Sequence, residues 1–136
     1  MPTNAEFSPG ARISRLDHII LALGVVGTVA LGAIVWWAGF VVAFVVAHFF
    51  LFCNVFRISR PLELAWSAAF VAFAAGTVLI SFPGWLGTAV LSLAGTASVI
   101  LLEMQKPSYH GIGWQKINPG LENWWKANRL PHSPAG

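Results

Sequence analysis

Read for hydrophobic and polar positions alone, the chain has a polar start, two long apolar stretches parted by a short basic loop, and a polar end. No Asp, Glu, Lys or Arg occurs from Ile19 to Phe56, and none from Leu64 to Leu102. One transmembrane helix needs roughly 20 apolar residues. Laid out as a single helix, the first stretch would reach about 57 Å, nearly twice the hydrocarbon thickness of a bilayer. Breaks fall near the middle of each stretch, at Ala38-Gly39 and at Pro83-Gly84. The pattern therefore predicts an all-α, polytopic membrane protein with four transmembrane helices in two tight hairpins. The spans are expected over about 16–37, 40–56, 62–82 and 85–103, with residues 1–15 as a polar tail. Pro61 follows the basic loop and sits where a first helical turn tolerates it.

Residues 104–136 read as a second polar tail. Within it, "INPGLENWWKANRLP" offers Asn118 as a cap, Pro119 at the first helical position and Pro131 as a stop. These signals predict a short amphipathic helix over about 119–130. Leu121, Trp124 and Trp125 share one face, and Glu122, Lys126 and Arg129 another. The apolar face suits the membrane surface or a protein partner. Trp114 belongs to the same interfacial set.

Composition agrees with the pattern. The 136 residues are 57% hydrophobic and only 10% charged, where a soluble domain carries about 25%. The eight Lys and Arg are scattered beside membrane segments, so nucleic acid is not an expected partner. The expected partners are the lipid bilayer and other membrane-protein subunits. A single cysteine, Cys53, excludes an intramolecular disulfide. Arg12 and Arg15 ahead of the first apolar stretch, with Ala30-Leu31-Gly32 inside it, give it the look of a secretory signal. We expect it to be retained as a span. With four spans, all eight Lys and Arg share one side. The positive-inside rule then places both termini in the cytoplasm, for a protein of the bacterial inner membrane.

Small residues mark helix contacts. Gly24, Thr28 and Gly32 on the first helix, and Ala68, Ala72 and Gly76 on the third, form ridges that let backbones approach. Thr88, Ser92 and Thr96 line one face of the fourth. Helix two is bulky nearly all round with phenylalanine, which suits lipid, another subunit or a pigment. Trp36, Trp37, Trp66 and Trp85 are expected at the membrane interfaces.

Two groups stand out chemically. His48 lies about 13 Å below the basic surface, where ionisable side chains are costly and often functional. It suits an interhelical hydrogen bond, a proton relay, or a single axial ligand to a tetrapyrrole such as haem or chlorophyll. No second ligand lies at its depth. Arg57 and Arg60 either reach lipid phosphates or join Glu63 in an ion network. No carboxylate pair, Ser-His-Asp set or metal cluster is evident, so catalysis is not expected. The first expectation is a non-catalytic accessory or scaffolding subunit of a larger inner-membrane complex, in respiratory or photosynthetic energy conversion. A pigment- or haem-binding subunit using His48 is the alternative, and a small transporter or channel the third.

Overall fold

The computed structural model describes residues 7–128. It is all-helical among them: α1 (Arg15–Ile34), α2 (Trp36–Phe50), α3 (Arg60–Ile80), α4 (Gly84–Met104), α5 (Trp114–Ile117) and α6 (Leu121–Asn128). A π-helical segment, Leu51–Val55, continues α2. Four helices are long and apolar enough to cross a membrane, counting α2 with its π segment as one.

The start of α1 has a local cause. Ser14 accepts from the Asp17 amide, and the Asp17 carboxylate accepts from the Ser14 amide at 2.6 Å. This capping box satisfies two amides that the first turn leaves open. The hairpin turn after α1 falls at Val35, which is extended, rather than at Ala38-Gly39. Gly39 serves another purpose. It lies inside α2, where an added Cβ would meet the Gly32 Cα at 2.7 Å and the Thr28 carbonyl at 2.8 Å. Its missing side chain lets α1 and α2 touch backbone to backbone.

The second hairpin closes differently. The ridge of Ala68 and Ala72 is exposed, facing the surroundings rather than α4. Helix α3 instead presents Trp66, Phe70 and Thr77 inward. The Thr77 and Thr88 hydroxyls bond at 2.9 Å, and the Trp66 indole donates to Thr96 Oγ1 at 2.9 Å and to the Ser92 carbonyl at 3.0 Å. Trp66 is thus a core residue, not an interfacial anchor. Ser81, left-handed at φ 58°, ends α3.

The two ends of the bundle contrast. At one, Trp85 stacks on Trp37 and meets Trp36 and Phe40 edge-on. At the other, backbone strands knot together. The Gly10 amide donates to the His110 carbonyl, Arg12 to Asn54, and Ile112 to Val55. Every described Lys and Arg lies at this knotted end; Arg129, Leu130 and the C-terminal limit expected for the last helix lie outside the described residues.

Candidate functional site

His48 lies in an aromatic seam between the hairpins. Its ring stacks on Trp66 at 4.6 Å and lies 4.2 Å from Phe44, while Phe52 meets it edge-on at 5.8 Å. Phe70 stacks on both Trp66 and Phe44 and closes the cluster. Nδ1 lies 2.7 Å from the Phe44 carbonyl, one turn back on its own helix. A carbonyl only accepts, so Nδ1 carries the proton and Nε2 the lone pair. The interhelical hydrogen bond expected for His48 is absent among the described residues: on α4 the Thr96 hydroxyl serves Trp66, the Thr88 hydroxyl serves Thr77, and the buried Ser92 hydroxyl has no partner. The helix-two phenylalanines divide: Phe52 is buried and Phe44 packs on the core, whereas Phe49 is exposed.

The second site is built where helices end. The π segment leads into Arg57, whose φ of 50° is left-handed. Such a position at a helix end ordinarily takes Gly or Asn, and a side chain there costs about 1–2 kcal/mol. The strain turns the chain sharply toward Ser59 and the start of α3. The Arg57 guanidinium donates to the Ser8 carbonyl at 2.6 Å. Burial, then the nearby Arg12 charge, lowers its pKa from the ordinary arginine value. It remains charged at neutral pH.

No ion pair joins Arg57 or Arg60 to Glu63 among the described residues, so the network expected there is not formed. Ser59 and Lys106 take Glu103 instead, at 2.9 Å each. Glu103 is only 3% exposed, and removing its partners would strand a buried charge. Glu63 accepts only a weak contact from the Cys53 thiol at 3.7 Å. Around these groups lies a cavity of about 420 Å³, lined by Arg57, Arg60, Glu63, Glu103, Ser108 and His110 among others.

The segment after α4 closes this end. Tyr109 is fully buried, with its hydroxyl donating to the Ile112 carbonyl at 2.7 Å. Burial, then the Glu103 charge, raises its pKa above the ordinary phenol value. Gly111 fits because a Cβ there would run into the Phe56 carbonyl. The Asn118 side chain donates to the Pro107 and Tyr109 carbonyls. It ties the segment down rather than capping a helix, and α6 begins later, at Leu121. Leu121 is fully buried, and Trp125 and Trp114 both meet Phe7 edge-on. Trp124 is half-buried beside them. The amphipathic face thus packs in part on the chain's own N-terminal stretch.

Sequence reasoning passed over Ser59, Glu103, Lys106 and Tyr109. The signal for the first three was their placement at helix ends, where charges and caps gather. Tyr109 gave no signal beyond its being the only tyrosine. No group of three or more His, Cys, Asp or Glu side chains among the described residues is placed to hold a metal ion. No family model, curated protein or solved structure matches this chain.

Proposed function

We propose that the chain is a non-catalytic accessory subunit of a larger membrane assembly. One observation carries the reading. The spans leave open seams: three apolar grooves of about 270, 270 and 440 Å³ run along them. The largest is lined by Trp37, Val41, Val45, Ala74, Ala75 and Val78 among others. Helices in lipid associate through close packing against small side chains, and a partner helix fills a groove of that kind. Collection of the positive charge at the knotted end supports a bacterial inner-membrane setting with that end cytoplasmic. A tetrapyrrole at His48 has less behind it, since the ring packs on Trp66 and lines none of the four cavities described here.

Purification of the tagged chain from its own membranes in mild detergent tests the proposal. The expected result is a partner at fixed stoichiometry, lost when Ala75→Trp fills the largest groove while the fold persists. A monodisperse monomer that carries no second chain would sink it.

A further inference from the structure

We propose that the cavity at the knotted end binds a phosphoethanolamine group, the zwitterionic head of an aminophospholipid. The charges around it are of both signs and only partly paired. Arg57, Arg60, Glu63 and Glu103 all line the cavity, yet neither arginine forms an ion pair with either glutamate among the described residues. Glu103 is already held by Lys106 and Ser59. Glu63 has only the Cys53 thiol, a weak donor. Two guanidiniums and one carboxylate are therefore left to a ligand that carries both signs of charge.

The anionic end has a defined place. Arg57 is fixed by the Ser8 carbonyl, and Arg60 opens α3 beside it. The Ser59 hydroxyl is committed to Glu103, so no side chain caps the first turn of α3. The positive dipole end of this long helix adds to the arginines as a phosphate site; Pro61 supplies no amide there, and the Glu63 amide bonds the Ser59 carbonyl. The cationic end falls to Glu63, also in that first turn. A primary ammonium offers three hydrogen-bond donors to this carboxylate. A trimethylammonium offers none, and a purely anionic head leaves Glu63 opposed to like charge. The cavity lies where the spans end, at the depth of lipid headgroups.

This site does not rest on the accessory-subunit reading, because it is measured on the chain alone. The full-length protein is placed in nanodiscs with equal phosphatidylethanolamine, phosphatidylglycerol and phosphatidylcholine, and the retained lipids are counted by native mass spectrometry. Phosphatidylethanolamine is expected at about tenfold over the other two, the worth of one charge-assisted hydrogen bond. Glu63→Gln should abolish that preference over phosphatidylglycerol, and Arg60→Gln should lower retention of all three. Soluble glycerophosphoethanolamine separates the sources: displacement at millimolar concentration assigns the site to a free headgroup compound, and resistance to it assigns the site to lipid. Equal or better retention of phosphatidylglycerol by the unaltered protein overturns the proposal. So does a preference that survives Glu63→Gln. Should that variant not fold, Glu63→Asp and the unaltered protein decide the matter.

Discussion

The two hairpins solve one problem by different chemistry. Lipid tails are as apolar as leucine, so the hydrophobic effect does not press helices together inside a bilayer. Something else must hold each pair. In α1–α2 it is shape: Gly39 against Gly32, and Gly24 against Val46, where a Cβ would come within 2.8 Å of the valine. In α3–α4 it is hydrogen bonding through Thr77, Thr88, Thr96 and Trp66. Shape fails abruptly when a side chain intrudes on backbone. Hydrogen bonds fail gradually, because a hydroxyl that loses its partner turns to a nearby carbonyl.

The largest effect is therefore expected at Gly39. Gly39→Leu must push α1 and α2 apart and should destabilise by about 3 kcal/mol or more, at the upper end of overpacking costs. Gly32 is the control. A Cβ there meets only the Gly39 Cα at 3.6 Å, an ordinary contact. Gly32→Ala should be nearly neutral. Unfolding in bicelles, followed by steric trapping, measures both. Equal tolerance at the two positions would break the claim that shape closes this hairpin.

Trp66 is the next test, since it belongs both to the hydrogen-bonded hairpin and to the seam with His48. Trp66→Phe removes the indole N–H that donates to the Ser92 carbonyl and Thr96 Oγ1, and part of a large ring. We expect a loss of about 1–3 kcal/mol, with the α1–α2 contact intact by disulfide cross-linking. A variant as stable as the parent would show that the hairpins are joined elsewhere.

The spans and the charged end were legible because charge and helix-breaking residues are strong local signals. The inward face was legible for helices one and four, from Gly24, Thr28 and Gly32 and from Thr88, Ser92 and Thr96, but not for helices two and three. Nearly every side chain in a span is apolar, so no polar face marks the outside. Helices one and three carry similar small-residue ridges, yet on helix three Ala68 and Ala72 are exposed and only Gly76 is closely approached, by the Phe82 carbonyl. Trp66 lies where an interfacial tryptophan belongs, but its indole found acceptors on α4. The turn at Val35 was hidden because Gly39 signals a bend and a close approach equally well. At the knotted end, Tyr109, Glu103 and Ser59 come together only through tertiary contacts.

That knotted end joins the hairpins, and Tyr109 reports on it. The folded protein raises the pKa of this phenol, so folding favours its protonated form. The contribution is fully present below the ordinary phenol value of about 10 and is lost as pH rises through the folded value. Stability should fall there by at most about 1.4 kcal/mol per pH unit. With one tyrosine in the chain, tyrosinate absorbance near 295 nm follows a single group. A midpoint at or below the value of the unfolded chain would contradict the buried placement.

The smallest effect gives the finest comparison, because it asks what one hydroxyl pair contributes inside the bundle. Thr77 and Thr88 bond at 2.9 Å, and Thr88 Oγ1 also lies 3.3 Å from the Phe73 carbonyl. Thr88 is fully buried and Thr77 nearly so. Thr88→Val keeps the shape but leaves the Thr77 hydroxyl without its partner. Thr77→Val leaves Thr88 its second contact, so it should cost less. The double variant strands neither group and should recover most of the loss, as when both partners of a hydrogen bond become apolar. Coupling energies for such pairs in membrane helices average about 0.6 kcal/mol. A double-mutant cycle in bicelles that returns a value near that size supports gradual, hydrogen-bonded closure of α3–α4. A coupling of zero would mean that this hairpin too is held by shape, and the contrast with α1–α2 would collapse.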